Sequence, residues 1–138
     1  MVDDDEPIRN CVCAILEGRN LQTIQASNGF EALQLLDELG DTINLIISDI
    51  KMPGCDGVIL ALTVRELFPE MPLVLITGDK PAYQTFRNAS FHLVSKPFTP
   101  ATLLTSIEEA AMTSCRSATF NSYIEQATGS GTGHSFDN

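Results

Sequence analysis

Carboxylates, a hydroxyl and an amine all stand at one kind of place in this sequence, directly after an apolar run. Asp49 follows Leu45-Ile46-Ile47-Ser48, and Thr77 follows Leu73-Val74-Leu75-Ile76. Lys96 follows Phe91-His92-Leu93-Val94-Ser95, and Asp3-Asp4-Asp5 follow Met1-Val2. If these runs are parallel strands, their carboxyl ends line one sheet edge, where open α/β sheets bind ligands. Two anions about 4 Å apart repel by about 4 kcal/mol at an effective dielectric of about 20, so gathered carboxylates call for a cation. Oxygen donors favour a hard ion, and Mg²⁺ leaves positions for water and phosphate oxygens. The chemistry permitted is phosphoryl transfer, with Asp49 as the nucleophile toward phosphorus. Metal, Lys96 and Thr77 would neutralise charge on the equatorial oxygens.

Positioning these groups requires alternating elements. An amphipathic stretch from near Pro7 to Leu16 reads as a helix, and Gly18 lies in the turn after it. Leu21 to Ala26 reads as a short strand centred on Ile24. Asn28-Gly29 breaks the pattern before a helix carrying Phe30, Ala32, Leu33, Leu36 and Leu39 and stopping at Gly40. Ile43 to Ser48 is apolar without alternation, the mark of a strand buried on both faces. Val58 to Phe68 reads as a third helix, Leu73 to Ile76 as a strand, and Pro81 to Asn88 as a short polar helix. Phe91 to Val94 is a fifth strand, and Pro100 opens a last helix through Leu103, Leu104, Ile107 and Ala111. Strict alternation predicts an α/β fold: a doubly wound, five-stranded parallel sheet. Asp56-Gly57 reads as structural, with Asp56 capping a helix and Gly57 permitting a left-handed turn.

The chain has 138 residues, enough for one domain, and its 43% hydrophobic content supplies a core. With 8 Lys+Arg against 18 Asp+Glu, the net charge of -10 gives direct nucleic-acid binding no electrostatic footprint. Cys11, Cys13, Cys55 and Cys115 make no zinc pattern and read as reduced thiols. His92 and His134 stand in no ligand pattern, and Phe86, Phe91 and Phe98 read as packing. No run is long enough to cross a bilayer, so a soluble cytoplasmic protein without membrane contact is expected. Residues 1–116 read as the domain. Residues 117–138 read as an extension, helical around Phe120 and Ile124 and then Gly/Ser-rich and disordered.

Several motifs, in order, carry a family resemblance: Val2-Asp3-Asp4-Asp5-Glu6-Pro7, Asn28-Gly29-Phe30-Glu31-Ala32-Leu33, Asp49-Ile50-Lys51-Met52-Pro53-Gly54-Cys55-Asp56-Gly57, Thr77-Gly78 and Lys96-Pro97-Phe98. Over roughly Met1 to Met112 the chain resembles the receiver domain of two-component response regulators. The resemblance implies a flavodoxin-like fold with strand order 2-1-3-4-5 and Asp49 as phosphoacceptor. It implies Mg²⁺ bound by an acidic pair, by Asp49 and by the Lys51 backbone carbonyl. Counting back from Arg9 the pair is Asp3 and Asp4; counting back from Glu6-Pro7 it is Asp4 and Asp5. Thr77 matches the hydroxyl that bonds the acyl phosphate, and Lys96 the amine that pairs with Asp49 and then with phosphate. The Lys96-Pro97 bond is cis in the family. The partners implied are a sensor histidine kinase or histidine phosphotransfer protein and a downstream protein target, with a second copy as a further candidate.

Three departures stand out. Only Met1-Val2 precede the acidic residues, so the first strand is a stub. Leu93 occupies the position three before Lys96, where the family carries an aromatic switch. Lys51 and Asp79 flank the site with opposite charges, whose pairing would slow hydrolysis of the phosphoryl group. Two rival readings exist. One is a receiver-like docking or dimerisation module acting without phosphorylation. The other is a phosphatase-like hydrolase, disfavoured because Lys51 stands where its acid/base carboxylate belongs.

Overall fold

The computed structural model describes residues 1–54, 56–78 and 91–113. Helix α1 (Glu6–Glu17) starts where the Asp5 carboxylate accepts the Ile8 amide at 3.3 Å, with Pro7 in its first turn. Gly18 follows it. Helix α2 (Gly29–Leu39) opens with reciprocal caps: Asn28 Oδ1 accepts the Glu31 amide at 2.8 Å, and Glu31 Oε1 accepts the Ser27 amide at 3.1 Å. A 3₁₀ turn at Gly40–Thr42 leads to strand β1 (Ile46–Asp49). Asp56 caps helix α3 (Gly57–Leu67) by accepting the Ile59 amide at 2.9 Å. Strands β2 (Leu73–Thr77) and β3 (His92–Ser95) precede helix α4 (Pro100–Thr113), whose start is capped by Thr99 Oγ1 accepting the Thr102 amide at 3.1 Å.

The three strands form a parallel sheet in the order β1-β2-β3, with Asp49 opposite Ile76 and Thr77 opposite Ser95. Val2 extends it by single parallel bridges to Ser48 on one side and Ala26 on the other. The spatial order is therefore Ala26, Val2, β1, β2, β3, which is the 2-1-3-4-5 order of a doubly wound sheet. Neighbouring residues along the strands feed opposite faces. Ile46, Leu73 and Leu75 pack with Ala32 and Leu36 of α2 and Leu60, Ala61 and Val64 of α3. Ile47, Val74 and Ile76 pack with Val12 and Leu16 of α1 and Leu103, Leu104 and Ile107 of α4. Each fully buried aliphatic side chain contributes roughly 1.5–3 kcal/mol relative to exposure.

Two local expectations are corrected. Residues Leu21 to Ala26 form no strand; only Ala26 bridges, and Ile24, the supposed apolar centre, is 45% exposed. Beyond that bridge the segment is held by the Met1 amine donating to Ile24 O at 2.8 Å and by the Ala26 amide donating to Met1 O at 2.9 Å. Gly57 needs no left-handed backbone. The positive φ, +78°, belongs to Gly54, whereas a Cβ on Gly57 would lie 2.1 Å from the Asp49 carbonyl oxygen. Close approach, not turn geometry, selects that glycine. The helix read at Pro81 to Asn88, Phe86, Asp79, Cys55, Cys115, His134 and the extension from 117 lie outside the described residues.

Candidate functional site

Each acidic or basic group sits where an element ends. Val2 holds the stub in place: its amide donates to Ile47 O at 2.8 Å and its carbonyl accepts the Asp49 amide at 2.9 Å. Asp3 therefore emerges beside Asp49. Its Oδ1 accepts the Asp5 amide at 2.9 Å, and its carbonyl accepts from Arg9 Nη1 at 2.8 Å. Asp3 Oδ2 is fully buried and has no hydrogen-bond partner; Lys96 Nζ stands 4.0 Å away. Lys96 Nζ lies 3.2 Å from Asp49 Oδ1. The Lys96 amide donates to Thr77 O at 2.8 Å, and the Lys96-Pro97 bond is cis. Thr77 is buried at the end of β2, one residue beyond the partner of Asp49.

One carboxylate oxygen each from Asp3, Asp4 and Asp49 lie within 4.8 Å of one another, with Asp3 and Asp49 buried and Asp4 exposed. Asp5 is spent on capping α1. Of the two registers read from the sequence, the geometry gathers Asp3 and Asp4. Burial pushes the Asp3 carboxyl up to about 6, with the neighbouring Asp49 charge adding to the rise and the Asp5 amide opposing it. Burial also raises the Asp49 carboxyl, and the Lys96 ammonium opposes that shift. An all-oxygen, net-negative cluster with one buried oxygen unpartnered suits a hard divalent cation. Lys51 is exposed two residues after Asp49.

The model for the response regulator receiver domain matches residues 1–108. The chain belongs to that family. This receiver is 30% identical over 112 residues to the sensor kinase CckA of Brucella abortus, covering 79% of this chain and 12% of that protein. It is 33% identical over 113 residues to the C4-dicarboxylate transport transcriptional regulatory protein DctD of Rhizobium meliloti, covering 80% of this chain and 24% of that protein. The chain thus spans a quarter or less of the length of these relatives. The solved receiver domain of NtrX from Brucella abortus superposes with a TM-score of 0.73 at 28% identity, covering 82% of this chain and 97% of that one.

One contributor escaped the sequence reading, and another was read for a different role. Arg9 had served only as a counting mark, yet it fixes the Asp3 backbone. Gly57 holds the start of α3 against Asp49, its amide donating to Ile50 O at 2.8 Å. A glycine directly after an N-capping Asp was the available signal. His92, read as incidental, is half-buried with Nε2 2.9 Å from Thr113 Oγ1. Phe91 and Phe98 pack against the two cores, as does Leu93, which is opposite Leu75 on the α2/α3 side.

Proposed function

We propose that Asp49 accepts a phosphoryl group from a phosphohistidine of a sensor kinase or phosphotransfer protein. The observation carrying this reading is the Asp49 carboxylate, held 3.2 Å from Lys96 Nζ within the acidic cluster. An Asp49 oxygen attacks phosphorus in line, the phosphorus–nitrogen bond to the donor imidazole breaks, and an aspartyl phosphate forms. Lys96 pairs with the carboxylate before transfer and with a phosphoryl oxygen after it. The Thr77 hydroxyl hydrogen-bonds the acyl phosphate. Asp3, Asp4, Asp49 and the Lys51 carbonyl would hold Mg²⁺, which supplies neutralisation of charge on the phosphoryl oxygens. Residues 1–116 carry this function in the cytoplasm, and the modified domain biases a two-state equilibrium read by a downstream protein.

Incubation with Mg²⁺ and a small phosphodonor, read by intact mass, is expected to give one added phosphoryl group. Asp49→Asn abolishes it. No adduct on the folded wild-type chain would favour a docking module that needs no phosphorylation, a reading supported by Leu93 at the switch position. Rapid multiple turnover on phosphate esters would favour a hydrolase.

A further inference from the structure

The nitrogen of Met1 occupies a ladder position. The Asp3 amide donates to Ala26 O at 3.1 Å, the Ala26 amide to Met1 O at 2.9 Å, and the Met1 amine to Ile24 O at 2.8 Å. That zigzag is the pattern of a parallel pair, and in it the Met1 nitrogen stands where a peptide amide belongs. On the other side of the stub, Val2 O accepts the Asp49 amide and the Val2 amide donates to Ile47 O. The next group in that series is the Ile47 amide. It does not serve β2: the Ile46 amide donates to Pro72 O at 3.0 Å, and successive amides along a strand point to opposite sides. Ile47 is 2% exposed, and among the described residues its amide has no hydrogen-bond partner. Buried amides are almost always paired, so this one calls for an acceptor.

What the Met1 nitrogen carries decides whether that acceptor exists. An amide is planar and trans, so its carbonyl points away from its N–H. The Met1 N–H is directed to Ile24, on one side of the stub. A carbonyl carbon on the same nitrogen therefore aims its oxygen to the other side, in line with the Ile47 amide. A cavity of about 630 Å³, bounded in part by Met1, Leu21, Leu35, Ile43 and Leu45, leaves room for it. A bare ammonium suits the place poorly. It brings three donors, of which Ile24 O takes one, it brings no acceptor, and it sets a charge against apolar walls. We propose that the Met1 nitrogen is acylated in the working protein, with the acyl oxygen accepting the Ile47 amide. Two sources supply the same carbonyl: a small acyl cap, or a peptide bond from a preceding residue. For a cap, the neutral amine attacks the carbonyl carbon of an activated acyl thioester. The nitrogen–carbon bond forms, the carbon–sulfur bond breaks, and the amine's proton leaves with the thiol. None of this depends on phosphorylation of Asp49.

The test compares full chains made by joining a synthetic segment of residues 1–10 to the remainder at Cys11. Met1 carries a free amine, an acetyl group or an ethyl group; ethyl matches acetyl in carbons and lacks the oxygen. In the acetyl chain alone, the Ile47 amide proton is expected to move to lower field and to exchange about tenfold more slowly relative to the amides of β2. The ratio of folded to unfolded chain should rise about fivefold or more. Identical Ile47 behaviour in all the chains would overturn the proposal, and so would an ethyl chain that matches the acetyl one. The terminal peptide of the protein, taken from the cell that makes it, separates the two sources. Acyl-Met1 identifies a cap, and a peptide that runs on ahead of Met1 identifies a preceding residue. A free Met1 amine throughout that material overturns the proposal.

Discussion

Asp3 shows how much of a site one side chain can hold under tension. Its carboxylate is buried beside Asp49, with Oδ2 unpartnered, and its carboxyl titrates at about 6. Folded Asp3 thus binds its proton more tightly than the unfolded residue, which ionises near pH 4. Metal-free stability should therefore fall as pH rises from about 4 to about 6, and stay reduced above that. The rise of the Asp3 carboxyl to about 6 corresponds to up to about 3 kcal/mol, and Asp49, also raised, acts in the same direction. Asp3→Asn removes the buried charge, and with it the lesser repulsion from Asp49. We predict that it raises the urea midpoint of the metal-free protein at pH 7 and loses most of the Mg²⁺-induced stabilisation that the wild type gains. A variant destabilised without metal, or stabilised fully by Mg²⁺, contradicts the account. The sequence exposed Asp49, Thr77 and Lys96 because each ends an apolar run. It left the acidic pair in two registers, since three consecutive aspartates look alike until a cap claims Asp5.

Among the elements, α3 is the most tightly constrained at its start. A methyl at Gly57 would meet the Asp49 carbonyl at 2.1 Å and Ile50 Cα at 2.8 Å, both backbone atoms that cannot swing aside. Gly57→Ala is expected to destabilise by about 3 kcal/mol or more, or to prevent folding, with loss of phosphoryl acceptance in parallel. Asn28→Ala, which removes one cap of α2, should lower stability by only about 1 kcal/mol. Equilibrium urea unfolding of the two variants side by side tests the contrast. The helices were legible because caps and apolar spacing are local. For the four α-helices among the described residues, the observed bounds fall within a residue or two of those read. Leu21 to Ala26 was misread because strand formation depends on a partner, and the bridge there joins Ala26 to Val2 alone. Gly57 was misjudged for a related reason: close approach of backbones is a tertiary fact.

At the scale of the molecule, alternation of strand and helix patterns was enough to give the doubly wound sheet and its two-sided core. It did not reveal that Ile59 and Leu62 of α3 are exposed, since an Ile and a Leu spaced by three look like core until the buried side is known. Charge is the other global property. A net charge of -10 opposes compaction, so sodium chloride raised to about 0.15 M, where the Debye length is about 8 Å, should raise the urea midpoint at pH 7. The same addition near the sequence pI of 4.4 should have little effect. A salt response equal at both pH values would show that self-repulsion is not what the salt relieves.

The ladder joining Val2 to Ser48 and Asp49 has a consequence for how the chain is made. Val2 is synthesised before α2, yet the strand it must slot beside comes only after α2. Val2 therefore lacks its β1 partner until the residues between them have been made. Until it docks, Asp3 and Asp4 are ordinary solvated acids, and Asp49 lacks both its neighbours and the carbonyl that receives its amide. The acidic centre is thus a late product of folding, and the exchange rate of the Asp49 amide proton is a clock for its assembly.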